Sequence, residues 1–290
     1  MSAFLNAELE SITAVVLDAL DVLARARAGG ADAVPDPAAL IFLLRRYLAS
    51  DRDDLRDALG EALAPALARA AAETRSLECA AWLTLFSEAS AISDDDRLPS
   101  AAAALIADLR RAWPSTDVVE QGMASVDACL RAANLVDPQD LVPAAIDELE
   151  RVVGHAYQPG DGIAHTIHSH VHARGSLGDH VRSASALLTA FEISGRLPYS
   201  MLAEELMQTA RRDLQGATDF IARCEGCRVL SRLAALHADE AYRGAAVIAP
   251  HVDYRADAER VITALSSDPL ARGSGAGEYG LALLAALDAR

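Results

Sequence analysis

The stretch LGDHVRSASALLTAFEISGRLPYSMLAEEL, residues 177–206, decides the fold. Its first half carries apolar side chains at helical spacing and spans 178–194 as a helix. Gly195-Arg196-Leu197-Pro198 then breaks the pattern, and a second helix follows over 198–213. Two helices joined by so short a break must lie antiparallel, so the unit is a helical hairpin.

Working outward from that hairpin, the same unit recurs. Short breaks at Ser50-Asp51, Asp94-Asp95-Asp96, Asp137-Pro138 and Ala238-Asp239 join further helices in pairs. The hairpins fall at 37–71, 75–113, 117–156, 178–213 and 217–267. Two helices remain, one with the stripe Leu9, Ile12, Val16, Leu20 and Leu23, the other over 276–288. Both carry apolar stripes, whereas an open solenoid would end in polar caps. Pairing them gives a sixth hairpin and closes the ring. The expectation is an all-α chain, a single (α/α)6 toroid domain over 1–290, with no strand.

Composition agrees. Of the 290 residues 52% are hydrophobic but only 4% aromatic, and Ala and Leu dominate, which suits closely packed helices. The net charge is −16, a field that repels phosphate backbones and anionic membrane surfaces, so neither nucleic acid nor membrane is an expected partner. All 26 basic residues are Arg. Without Lys there is no pyridoxal-phosphate Schiff base and no P-loop nucleotide site. The start MSAFLNAELE does not read as a signal peptide and no apolar run is long enough to span a bilayer, so the chain reads as cytoplasmic. The expected ligand is a small molecule, with a peptide or protein partner as the alternative; the oligomeric state is open.

Six of the eight histidines, His155, His165, His168, His170, His172 and His180, fall within 26 residues. Most lie on the longest loop, Tyr157 to Leu177, which leads into an inner helix of the ring. Loops of that length are uncommon unless functional. By alternation the inner helices start near Arg75, Asp117, Gly178 and Arg223, and their free N–H groups point at the ring centre. Catalytic candidates for acid/base work are therefore His165, Asp179, His180, Arg182 and Glu225. His168, His170, His172, Arg223 and Asp161 are ligand-binding candidates. Asp161, Asp179, Glu225 and Glu278, with Glu78 and Glu120 more loosely, sit at loop-to-helix junctions, where they serve as carboxylate acids and bases or as helix caps. Cys224 and Cys227 form a CxxC near a helix start. With His180 they make the alternative site, a zinc centre; the other reading of the two thiols is apolar packing. Cys79, Cys129, Trp82 and Phe86 read as core.

The run Asp161-Gly162-Ile163-Ala164-His165, then Leu177-Gly178-Asp179-His180-Val181-Arg182, Ala186 to Gly195 and Tyr199…Ala203-Glu204-Glu205-Leu206 resembles six-hairpin toroid proteins. It is most similar to the helical part of the thioredoxin-domain-containing (YyaL and spermatogenesis-associated type) family, and more distantly to N-acylglucosamine 2-epimerases. His180 stands where that family has Gln. Cys224-Glu225-Gly226-Cys227 stands where a Ser-Gly-Asn run is expected. The resemblance implies the ring and leaves the reaction open among hydrolase, isomerase and lyase on a small polar or sugar-like ligand. The competing classes are the zinc-dependent enzyme and a non-catalytic ring that binds a peptide or protein.

Overall fold

A computed structural model describes residues 2–134, 138–168, 174–214 and 216–289. The helices are α1 (Ser2–Ala28), α2 (Pro37–Ser50), α3 (Asp53–Ala70), α4 (Ser76–Ser90), α5 (Arg97–Ala112), α6 (Val119–Arg131) and α7 (Pro138–Ala156). After them come α8 (Leu177–Ser194), α9 (Leu197–Leu214), α10 (Phe220–Ala238), α11 (Glu240–Ala245), α12 (Tyr254–Leu265) and α13 (Ala276–Asp288). Six of them, α2, α4, α6, α8, α10 and α13, pack each against the next, and α13 packs back on α2. The others form an outer layer in which α3, α5, α7, α9, α12 and α1 cover the inner helices α2, α4, α6, α8, α10 and α13 in turn. This is the (α/α)6 toroid, closed by the first and last helices as the leftover stripes required.

Most of the apolar core lies between the two layers. Leu5, Leu9, Ile12, Val16 and Leu20 of α1 are all buried, as are Phe42, Trp82 and Phe86 on the inner helices. Trp82 and Phe86 stack with ring centroids 6.0 Å apart and neither lines the central cavity. The closing seam depends on two glycines one helical turn apart. A Cβ on Gly277 would lie 2.3 Å from the Ala39 backbone nitrogen, and one on Gly280 2.6 Å from the Phe42 ring. Only hydrogen at those positions lets α13 meet α2 this closely. Outside the seam, buried Glu8 of α1 accepts hydrogen bonds from Arg272 Nη2 at 2.6 Å and Tyr279 Oη at 3.1 Å.

One expectation needs correcting. The loop after α7 is not wholly irregular: β1 (Tyr157–Gln158) and β2 (Gly162–Ile163) form a small antiparallel ladder. Isolated bridges Val118–Thr166 and Ala164–Arg174 tie its continuation to the start of α6 and to itself. Two-residue strands carry too little alternation to be read from sequence. Among the described residues no helix is long and apolar enough to cross a membrane.

Candidate functional site

Because each inner helix is followed by an outer helix running back, all six inner helices start at the same end of the ring. Each brings an acid to its cap or first turn there: Asp36 before α2, Glu78 on α4, Glu120 on α6, Asp179 on α8, Asp219 before α10 and Glu278 on α13. The helix dipoles favour negative charge at these positions. The result is a mouth ringed with carboxyl groups that differ in what holds them.

Asp179 is fully tied. It completes a capping box with Ser176, and its Oδ2 accepts from Ser176 N at 2.7 Å, Ser176 Oγ at 2.8 Å and His165 Nδ1 at 2.9 Å. Its Oδ1 accepts from the Glu120 backbone N–H at 3.0 Å, which locks α6 to α8. The hydrogen bond and charge of Asp179 push His165 up, favouring its protonated form, and half of that side chain remains in solvent. His180 takes a different role from the one its sequence position suggested. It is 2% exposed, pairs its Nδ1 with the Ser176 carbonyl at 2.8 Å, and accepts at Nε2 from the Ile163 amide at 3.4 Å. Burial pushes its pKa down, so it is a neutral pin between the β-ladder and α8.

Glu120 is the odd member of the ring. Its carboxyl lies against Gly178, where an added Cβ would sit 2.7 Å from all three carboxyl atoms, so glycine makes the space it occupies. No side-chain hydrogen bond holds it among the described residues. Burial raises its pKa; Arg182 opposes the rise, and Asp179 and Asp219 add to it. Asp36, exposed toward the mouth yet partly desolvated by the groups around it, is raised further, to about 6, by that desolvation and by the neighbouring charge of Glu278, which together outweigh the Ala38 and Ala39 amides facing it.

Below the mouth the ring encloses a cavity of about 340 Å³ lined by all six inner helices. One wall is apolar, with Ala38, Ile41, Leu77, Ala80, Ala81 and Ala124. The other is a lattice of charge. Glu225 accepts from Arg182 Nη1 at 3.0 Å and pairs with Arg228, which in turn pairs with Glu278 at 3.0 Å. Glu225 is 4% exposed, yet Arg228 and Arg182 outweigh burial and hold its carboxyl well below the usual range. Farther along the axis Asp127 accepts from Arg131 Nε at 3.0 Å and from Ser185 Oγ at 2.9 Å.

Of the sequence candidates, the structure places Arg182 and Glu225 in the cavity wall and His165 with Asp179 at its mouth. Arg223 is a correction. It is buried, donates from Nε to the Leu214 carbonyl at 3.2 Å, and does not line the cavity, because its position on α10 faces the end of α9. Asp161 is exposed in the turn of the β-ladder, and His168 is exposed with its backbone N–H on Asp117 Oδ1. His155 ends an outer helix and bonds the Arg151 carbonyl. His170 and His172 lie outside the described residues.

The zinc alternative is also corrected. Cys224 and Cys227 have no exposed surface and face away from His180, the Cys227 thiol lying against the carbonyls of Ala258 and Ala282. Burial pushes the Cys227 thiol up to about 12, the opposite of a metal-ready thiolate. The described residues contain no group of three or more His, Cys, Asp or Glu placed to hold a metal ion.

Sequence reasoning missed Asp36, Asp127, Arg131, Arg228 and Arg232. A signal was present: Glu225, Arg228 and Arg232 recur at i, i+3 and i+7 on a helix whose other positions are mostly apolar. Such a charged stripe on a helix buried on both faces belongs to a polar cavity.

The sequence matches no protein-family model and no curated protein. Its fold does match solved structures. The unsaturated glucuronyl hydrolase of Bacillus sp. GL1, responsible for glycosaminoglycan degradation, aligns with TM-score 0.64 at 12% identity, over 87% of this chain and 83% of that one. An inactive variant of the α-1,6-mannanase of Salegentibacter sp. HEL1_6, with two aspartates changed to alanine and α-1,6-mannotetrose bound, aligns with TM-score 0.62 at 11% identity, over 87% of each chain. Both are helical toroid glycoside hydrolases, and they carry the six-hairpin part of the resemblance but not its thioredoxin-domain family.

Proposed function

We propose that this chain is a carbohydrate-acting toroid, one domain over 1–290 working in the cytoplasm, that cleaves a glycosidic bond at the ring mouth by acid/base chemistry. The observation that carries the reading is the state of the mouth carboxyls. Asp179 is consumed by caps and Glu278 by Arg228, while Asp36 and Glu120 are held above the ordinary range. They stand at the two ends of an arc that runs through α13, α10 and α8. Glycoside hydrolysis needs two carboxyl groups in unlike states. Asp36, protonated up to about pH 6, is the proton donor. Glu120, raised less, is the base that activates water. His165, oriented by Asp179, faces Glu120 as a charge partner, and Arg182 with Glu225 forms the wall that meets the sugar hydroxyls.

The assignment predicts an acidic optimum. Rate falls above about pH 6 as Asp36 loses its proton, and on the acid side as Glu120 gains one. The test is turnover of a panel of mannan oligosaccharides and glycosaminoglycan disaccharides, followed by E120Q. Loss of at least about 100-fold in kcat with the fold intact is expected, in line with the usual worth of acid/base catalysis. Turnover by E120Q equal to the parent, or no cleavage of any glycoside, would overturn the reading.

A further inference from the structure

Asp36 caps α2 at the mouth, and as proton donor it must stand beside the oxygen that leaves. The leaving group therefore lies on the α2 side of the ring. The cavity surface that runs inward from Asp36 is apolar. Ala38 and Ile41 of α2, Leu77, Ala80 and Ala81 of α4, and Leu281 of α13 line it, on three helices consecutive around the ring. Thr84, one turn beyond Ala80, donates its hydroxyl to the Ala80 carbonyl at 3.0 Å, so its proton is spent within the helix. Glu278, the acid of α13, is paired with Arg228 at 3.0 Å. Charge returns only at the far end, where Arg45 is held by both carboxylate oxygens of Glu88 and Asp288 ends α13. From Ala38 to Arg45 the apolar stretch runs about 10 Å along α2.

The α8 and α10 side has the opposite character, with Arg182 and Glu225 in its wall. A sugar ring carries hydroxyls around its edge. Against α8 and α10 they meet charged partners. Against α13, α2 and α4 a hydroxyl would give up water for nothing, which costs as much as an unmade buried hydrogen bond. No Phe, Tyr or Trp lines the cavity, so a second sugar ring has no aromatic face to stack on. An alkyl or aryl group has neither requirement, and its burial against aliphatic side chains is favourable.

Resting on the carbohydrate reading, we propose that the substrate is a glycoside with an apolar aglycone, and that α13, α2 and α4 form the aglycone site. Water adds to the anomeric carbon as the bond from that carbon to the glycosidic oxygen breaks. Asp36 gives its proton to the departing oxygen, Glu120 takes one from the water, and solvent resets the two carboxyl groups. The products are the free sugar and an apolar alcohol or phenol. The aglycone contacts lie away from the reacting bond, so they strengthen ground state and transition state alike and lower KM with kcat held.

Titration calorimetry on the whole chain with the methyl and n-hexyl glycosides of β-D-glucose and α-D-mannose, and with 1-hexanol, tests this. The hexyl glycoside of at least one sugar is expected to bind at least ten-fold more tightly than its methyl counterpart and than 1-hexanol. At about four-fold per buried methylene, burial of two suffices. A81N places an amide in the wall and should cut the hexyl-to-methyl ratio at least about five-fold. A81V keeps the wall apolar and should hold the ratio within about two-fold, which guards against a general effect of changing Ala81. Equal binding of the methyl and hexyl glycosides, or an A81N ratio equal to the parent's, would overturn the aglycone site and leave the carbohydrate reading standing. 1-Hexanol bound as tightly as the hexyl glycosides would show an apolar pocket indifferent to sugar and overturn both. Binding of none of the five would also overturn both.

Discussion

Replacing Glu225 with Gln is the sharpest test of the charged wall. The parent carboxylate is 4% exposed and receives Arg182 at 3.0 Å together with Arg228. In E225Q the Arg228 guanidinium keeps only Glu278, and Arg182 keeps no ion-pair partner among the described residues. Removing one member of a buried ion pair costs about 3–5 kcal/mol. Gln retains an acceptor oxygen and Arg182 reaches cavity water, so the expected loss is at the low end, about 3 kcal/mol. At roughly 2–4 °C per kcal/mol for a large domain, Tm should fall by about 6–12 °C. The pH dependence gives an independent sign. Glu225 is depressed below its ordinary 4.5 in the folded chain, so its contribution is present above that value and is lost as pH falls below it. Urea unfolding from pH 8 to pH 3 should show a constant gap between parent and E225Q down to about pH 5, then convergence. R228M made in both backgrounds should show coupling of at least about 1 kcal/mol. A gap that persists undiminished to pH 3, or an E225Q midpoint equal to the parent's, would refute the wall as described.

Three further outcomes follow from the same geometry. D36N should stabilise the chain at pH 8 and lose its advantage toward pH 4, because a carboxyl raised to about 6 costs stability only once ionised; its exposure toward the mouth limits the gain to about 1 kcal/mol, read by urea melts. G178A should change stability by less than about 1 kcal/mol, since Ala favours helix and the obstructed group is the end of a flexible side chain, yet cut turnover at least about ten-fold by displacing Glu120. All four thiols, Cys79, Cys129, Cys224 and Cys227, should resist Ellman's reagent in the native chain and react in guanidinium, with burial pushing Cys129 and Cys227 up to about 12.

The ring was legible because helix and break are local properties. Gly195 ends α8 in the left-handed conformation that glycine favours, and hairpin alternation then assigned four of the six inner helices, α4, α6, α8 and α10. The site was half legible. Asp179, Arg182 and Glu225 lie in the first two turns of α8 and α10, and His165 on the loop that leads into α8, where sequence position already implies a place on the mouth or wall. Asp36 looked only like a helix opener, since its raised pKa comes from desolvation in the assembled ring and then from the charge of Glu278, a residue at the far end of the chain. Arg131 was hidden for the same reason: Thr189 joins it to Arg232 across three helices, and although the charged stripe of α10 marks Arg232, no local spacing announces their meeting. His180 misled because a histidine beside a catalytic-looking loop gives no sign of whether its nitrogens are already engaged.

The seam of Gly277 and Gly280 against Ala39 and Phe42 has a kinetic consequence. Every other contact between two inner helices joins neighbours along the ring order of the chain, whereas this one, like the α1–α13 contact beside it, bridges nearly the whole chain and carries a large loop-closure entropy. Until it forms, the molecule is an open arc with two apolar edges and no cavity. Binding of any ligand to the centre therefore reports that the last step of folding is complete, and a ligand that touches both α2 and α13 would act as a clasp on the slowest joint.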